Sequence, residues 1–301
     1  MNTFIFVAAA ILAVAGNAAT TTSSAQEYFE SPAAAVDAFM SACEANSTEQ
    51  LVQIFGPVYK AEAERISDAE ERVNRAKIAS MAGEVKRIEQ CSPDKAVLVL
   101  GNQLWPFPIP IVREPQGWRF DTETGFDEMI KRRIGRNELT AIDVCRTYVE
   151  AQNEYAMEDR DGDGVLEFAQ KIRSTDGQMD GLYWAADTDE QLSPLGPLIA
   201  EVESAPGSPQ SEGYMGYRYK ILTAQGKYAP GGKESYIDGN NMTKGFALVA
   251  WPVDYGHSGI MTFIVNDLGA VYQKDLGPKS ATIAQKMVRF NPDPSWKLVT
   301  D

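Results

Sequence analysis

Asp159-Arg160-Asp161-Gly162-Asp163-Gly164-Val165-Leu166 follows an amphipathic run from Asn137 to Glu158, and no other stretch constrains this chain as much. Leu139, Ile142, Cys145, Val149 and Ala156 recur at three- and four-residue steps. That spacing predicts a helix with one buried side, with Asn137 as its N-cap. The acidic stretch then reads D-x-D-x-D-G-x-L, the first two-thirds of a calcium loop of the EF-hand type. Carboxylates at alternate positions of a tight loop converge on one point and repel each other unless a hard cation sits between them. Gly164 stands at the sixth position, where the backbone must bend sharply, and Leu166 at the eighth, where an apolar side chain is expected to pack inward. The expected ligands are Asp159, Asp161, Asp163, the Val165 carbonyl and Glu167, and the expected cofactor is calcium; the alternative is a solvated turn that only caps the helix. Gln170 replaces the bidentate Glu of the twelfth position, so further oxygens are expected from Glu167 or from a later acid such as Asp176.

The loop belongs to an acidic chain. Its 301 residues hold 42 acidic and 28 basic side chains, a net charge of −14. Without a basic run, such a chain is a poor partner for nucleic acid or anionic lipid. A hydrophobic fraction of 44% is ample for packed cores, and the length suits two domains. The first 25 residues carry no charged side chain, and Phe4–Gly16 is an apolar run too short to span a bilayer as a helix. Residues 1–25 are therefore expected to be a signal peptide, cleaved after Ala18, Ala19 or Ala25, with an uncleaved anchor as the alternative. A periplasmic or secreted protein with no membrane span after leader removal follows from that reading. Export permits disulfides. The three cysteines, Cys43, Cys91 and Cys145, fit either a Cys43–Cys91 bridge with one thiol left over or three unpaired thiols.

The fold class expected is α+β, with an N-terminal domain over 27–134 and a C-terminal domain over 136–301. Ser31-Pro32 starts a helix that carries Val36, Phe39, Met40 and Cys43 on one face. Ser47-Thr48-Glu49-Gln50 is a capping box for a second helix bearing Leu51, Ile54 and Phe55, stopped by Gly56-Pro57. Tyr59 to Ala82 reads as a surface helix with a thin stripe of Tyr59, Ile66, Val73 and Met81. Ala96–Leu100 is a strand; the three prolines of Trp105–Val112 require an extended edge; Trp118–Asp121 is a returning strand. Helices followed by a curled antiparallel sheet resemble the nuclear transport factor 2-like fold. Phe126–Arg133 reads as a separate connecting helix.

Beyond the acidic loop, Ser174–Pro209 reads as ordered loop, because Leu182, Tyr183 and Trp184 need burying. Strands are expected at Tyr217–Ala224, Phe246–Trp251, Ile260–Val265 and Val271–Lys274, with a tight turn at Asp267-Leu268-Gly269 and a last helix over Ala281–Val288. A long helix packed on an antiparallel meander resembles the globular domain of type IV pilins and pseudopilins, from Asn137 to about Gly277. It departs from them at the N-terminus, where no prepilin leader feeds the helix.

Taken together, WPFPIP (Trp105–Pro110), GWRFDT (Gly117–Thr122), RRIGRNEL (Arg132–Leu139), DRDGDGVLEFAQ (Asp159–Gln170), DGLYW (Asp180–Trp184), SPLGP (Ser193–Pro197), YKILTAQG (Tyr219–Gly226), GFALVAWP (Gly245–Pro252) and KDLGP (Lys274–Pro278) resemble a bacterial envelope family catalogued as domain of unknown function 2950. The resemblance implies an exported two-part protein and assigns it no activity.

Catalytic chemistry has little to work with. Gly256-His257-Ser258-Gly259 is one residue short of G-x-S-x-G and places the only histidine beside the serine, so it reads as a polar turn. One histidine and three scattered cysteines do not make a zinc site. Trp105/Phe107 and Tyr183/Trp184 read as core rather than as stacking platforms. The expected role is a non-catalytic binding or assembly module with an envelope protein or polymer as partner. The alternative is a carboxylate-dependent hydrolase of an envelope polymer, whose acid pair would leave no local signature.

Overall fold

The computed structural model describes residues 26–63, 68–160, 162–185, 192–196 and 213–300. Residues 1–25, where a signal peptide is expected, Ile66, Asp161 and the remainder of 186–212, with Pro197 of SPLGP, lie outside the described residues. The chain divides into two compact units between Arg132 and Arg133.

In the first unit, α1 (Pro32–Glu44) starts as its cap requires, with the Ser31 hydroxyl accepting the Ala34 N–H. Ser47 does the same for Gln50 at the start of α2 (Thr48–Phe55). Gly56, at φ 79°, ends that helix in a conformation that favours glycine, and α3 (Pro57–Ala63) begins at the next residue. The antiparallel sheet has the order β1 (Lys86–Ser92), β2 (Lys95–Leu100), β4 (Ile111–Glu114), β5 (Gly117–Phe120), with β3 (Trp105–Pro106) paired to the end of β2. The prolines do sit at the margin, in β3 and the 107–110 crossing, while proline-free β4 lies inside the sheet. The core between helices and sheet is a cluster of Phe39, Phe55, Phe107 and Phe120, with ring centroids 4.9–6.4 Å apart.

Two expectations fail in this unit. Strand β1 was not foreseen, because every residue of it except Ile88 is exposed and its composition is polar. Its backbone bonds to β2 define it, and its charges mark it as a sheet edge. The stripe of α4 (Asp68–Glu84) is also misplaced, since Val73 is 65% exposed. The inward face is Glu71, Arg75 and Ile78. Glu71 and Arg75 form a buried ion pair. Tyr59 Oη donates to Glu71 (2.6 Å), and Arg75 donates to Thr48 Oγ1 (2.7 Å) and to the Asn46 side chain (2.8 Å) and carbonyl (3.0 Å). Two charges that satisfy each other can occupy an inner face that a hydrophobic count assigns to solvent.

All three thiols are free, Cys43 and Cys145 buried and Cys91 exposed. Burial pushes both buried thiols up to about 12, at Cys43 against the pull of the Arg75 charge. The thiolate is the nucleophile, so native protein should be alkylated by iodoacetamide at Cys91 alone. Peptide mass spectrometry reads the result, and rapid native labelling of Cys145 would contradict its burial.

Helix α5 (Thr122–Tyr155) supplies residues to both units, and it corrects two more expectations. It is one helix of 34 residues rather than a connecting helix and a separately capped one. Ile134-Gly135-Arg136-Asn137 contains no proline, and a lone glycine costs a helix only about 1 kcal/mol. Asn137 is no cap: it is buried inside the helix and donates Nδ2 to the Ser258 carbonyl (2.8 Å). Glu138 Oε1 accepts the Ile260 and Met261 N–H groups (both 2.9 Å). The buried face consists of Ala141, Val144, Cys145, Tyr148, Ala151, Gln152 and Tyr155, whereas Leu139 is 66% exposed.

The second unit packs that face on an antiparallel sheet of order β15 (Lys297–Leu298), β13 (Tyr272–Asp275), β12 (Met261–Asn266), β11 (Ala247–Pro252), β6 (Tyr217–Leu222). Central β11 is buried at all six residues, which is why it reads as an unbroken apolar run. The foreseen turn closes on Gly269 (φ 77°), whose N–H reaches the Asn266 carbonyl. The last helix, α6 (Ser280–Lys286), is held at its C-terminal end by Lys220, which donates to the Gln285 and Met287 carbonyls (2.7 and 2.8 Å). The polar loop 225–244 contains β8 (Glu234–Ser235), β9 (Ile237–Asp238) and β10 (Asn241–Met242). Strand β14 (Arg289–Phe290) pairs in parallel with β7 (Ala224–Gln225), a long-range pairing that no local pattern announces.

Candidate functional site

Three residues separate the end of α5 at Tyr155 from the acidic loop, which starts at Asp159. Arg160 anchors it, with its guanidinium over the rings of Tyr155 (5.5 Å) and Trp184 (5.2 Å) and its Nε donating to the Tyr155 carbonyl (3.3 Å). Gly164 (φ 85°) takes the left-handed conformation that the sixth position of the loop motif requires, and Gly162 (φ 77°) takes it as well. Asp159 accepts the N–H groups of Gly162 (2.8 Å) and Gly164 (2.9 Å), one on each oxygen. Asp163 accepts Val165 N–H (2.8 Å) and Asn241 Nδ2 (2.5 Å). Glu167 accepts Met242 N–H (3.0 Å). The loop is thus bound to the β9–β10 hairpin, and Gln170 joins the same tie by donating to the Asn240 carbonyl (2.6 Å).

Several predicted positions need correction. Leu166 does not pack inward, being 58% exposed; Val165, expected to contribute its carbonyl, is 38% exposed, which does not bear on that role. The residue that packs is Phe168, whose N–H bonds the Met242 carbonyl and whose ring meets Phe246 edge-on at 4.8 Å. Pairing with the hairpin decides which side chain faces the core, and it selects the one two residues further on. Asp176 is exposed on a separate turn. Among the described residues no group of three or more His, Cys, Asp and Glu side chains is arranged to hold a metal, and Asp161 is not one of those residues. In kind the donors suit calcium: carboxylate oxygens held by N–H bonds retain further lone pairs, and hard oxygens are what this cation takes.

The anchor of this region that sequence reading missed is Gln152, fully buried on α5. Its Oε1 accepts Ala169 N–H and its Nε2 donates to the Ala169 carbonyl, both at 2.8 Å. Its Nε2 also reaches Tyr148 Oη (3.0 Å). The signal was a glutamine in register with Tyr148 and Tyr155, a polar side chain on a face that otherwise reads as core.

The remaining candidates do not assemble catalytic geometry. Ser258 Oγ accepts Asp254 N–H (2.9 Å) and donates to the Asp254 carbonyl (3.0 Å), closing a turn on itself. His257 Nδ1 faces Asp254 (3.3 Å) within that turn. Asp267 has its carboxyl pushed up by burial, with the Glu234 charge adding to it. Both residues are nevertheless solvent-exposed, and a carboxylic acid needs more shelter than that to keep its proton at neutral pH. Trp184 is buried and Tyr183 is half-buried under the Arg173 guanidinium (4.7 Å).

A two-unit α+β protein with a hairpin-bound acidic loop is the class these features define. The chain belongs to the family of proteins of unknown function DUF2950, which matches residues 26–299. No curated protein and no solved structure matches it. No helix of the described residues is long and apolar enough to cross a membrane.

Proposed function

We propose that this is an exported envelope protein that binds a protein or polymer partner without catalysing a reaction, and that calcium stabilises its acidic loop. The observation that carries the calcium reading is the loop itself. Asp159, Asp163 and Glu167 are concentrated between the end of α5 and one hairpin, and backbone N–H groups hold each carboxylate in place. Supplying a cation to such a loop removes the repulsion between the acids. The export reading rests on the uncharged apolar leader. The long helix followed by an antiparallel sheet is also the layout of pilin globular domains, a likeness of layout alone.

A ligand that binds only the folded state adds RT ln(1 + [L]/Kd), about 2.7 kcal/mol at a hundredfold excess over Kd. Without an acid at Gln170, the affinity expected is that of weak extracellular sites, on the order of 10⁻⁴–10⁻³ M. Calcium at 10 mM or so should therefore raise the melting temperature of the mature chain, with magnesium less effective because it demands a stricter octahedron. Asp161→Ala should remove the calcium effect while leaving the metal-free melting curve in place. A curve that neither calcium nor EDTA moves, in protein shown to be metal-free at the start, would reduce the loop to a structural turn.

A further inference from the structure

A net-positive stretch of this acidic chain lies towards its C-terminal end. Residues 274–297 hold five basic side chains and two acidic ones, in a chain of net charge −14. Lys279, Lys286, Arg289 and Lys297 are all exposed, and none has a partner among the described residues. Basic residues elsewhere in the chain are commonly paired with acids, as Arg75, Arg119, Arg132 and Lys171 are. Unneutralised charge of this kind attracts anions and raises their local concentration.

A groove opens in the same place. It has a volume of about 390 Å³ and is lined by Lys274, Arg289, Asn291, Asp293 and Trp296, with Ile283 and Val288 at its apolar margin. That size is within the usual range of ligand sites, about 300–1,000 Å³. Its groups are fixed by the fold. Arg289 starts β14, paired with β7, and Lys274 Nζ sits 5.8 Å from the Trp296 ring and donates to Ser295 Oγ (2.6 Å). Asn291 Oδ1 accepts Tyr228 N–H (3.1 Å), which leaves its Nδ2 without a partner among the described residues. A Cβ on Gly226 would fall 2.1 Å from Asn291 Oδ1, so only glycine there lets the carboxamide lie where it does. Asp293 spends one oxygen on the Ser295 N–H and hydroxyl, and its other oxygen remains an acceptor.

We propose that this groove binds an acidic saccharide, with Arg289 and Lys274 holding its carboxylate or phosphate and Asn291 and Asp293 meeting its hydroxyls. A guanidinium suits a planar or tetrahedral oxyanion through two parallel donors. A carboxylate beside two cations is a poor neighbour for a uniformly anionic strand. For a ligand that carries hydroxyls as well as an anionic group, it is a useful acceptor. The inference rests on the binding-module reading above for the absence of chemistry, and it uses none of the acidic-loop residues.

The test is isothermal titration of the mature chain, in EDTA, with a galacturonate tetramer, glucose 6-phosphate, a neutral galactose tetramer and a short DNA duplex. The galacturonate, the sugar phosphate or both should bind, and which of them does identifies the recognised anion. Affinity should fall as salt rises. Arg289→Gln should weaken binding about tenfold or more, and Lys279→Gln, which removes the same charge outside the groove lining, less than twofold. Arg289 is exposed, so unchanged melting of the variant is the expected check on its fold. Asp161→Ala should leave saccharide binding unaltered, so that failure of the calcium reading and failure of this one give different results. Equal binding of the neutral tetramer, tighter binding of DNA, no binding at all, or equal losses in both variants would overturn the assignment.

Discussion

Glu71→Ala should destabilise the N-terminal unit by about 3–5 kcal/mol, the cost of leaving one partner of a buried ion pair without the other. The Glu71 and Arg75 side chains are 7% and 6% exposed, so solvent cannot replace the lost carboxylate. Arg75 would keep its bonds to Asn46 and Thr48, but those are neutral acceptors, and its Nε has no partner among the described residues. Tyr59 would lose the acceptor for its hydroxyl as well. Urea denaturation of the chain from Gln26 onward, followed by a probe in the first unit, measures the change. Glu71→Leu with Arg75→Met should recover most of the loss, because the expense lies in the unpaired charge and not in the absence of the pair. A single-variant loss below about 0.5 kcal/mol would mean that water reaches the site and that the packing of α4 differs from that described.

Gln152→Leu should cost about 2–4 kcal/mol and loosen the acidic loop. It replaces one buried carboxamide by an apolar group of similar size, yet it strands two backbone groups of Ala169 away from water. Each unpaired buried group costs about 1–3 kcal/mol. Amide hydrogen exchange gives the more specific reading: the Ala169 N–H should lose its protection while β11 and β12 keep theirs. Gln152→Glu should fail too, since a carboxylate can accept from Ala169 N–H but has no proton for the carbonyl. Full protection of Ala169 in the leucine variant would show that the loop is held by the hairpin and not by α5.

Much of the fold was legible locally. Ser31 and Ser47 sit where short-range capping chemistry puts them, and both helices follow. Strand β11 was readable because it is buried on both faces, and Gly164 because a sharp bend leaves few alternatives to glycine. What was illegible shares one cause. Strand β1 exists through its pairing with β2, and β14 through its pairing with β7, and neither pairing leaves a periodic trace in the strand itself. Leu139, Val73 and Leu166 were placed inside because they are apolar, but all three face solvent. Gln152, Glu71 and Arg75 took the inner positions because each finds complementary polar partners there.

The same division runs through the candidate sites. The α+β class, the acidic loop and its bend at Gly164 are set by the sequence alone, since they depend on residues within a few positions of one another. Whether Leu166 or Phe168 turns inward, and where Gln170 and Glu167 send their polar groups, was decided by a hairpin some 70 residues away. The groove at Arg289 is likewise a tertiary product, made from β13, α6 and the stretch after β14. Burial is a property of neighbours: a side chain's polarity sets what it costs to be enclosed, and only the assembled fold supplies the partners that offset that cost.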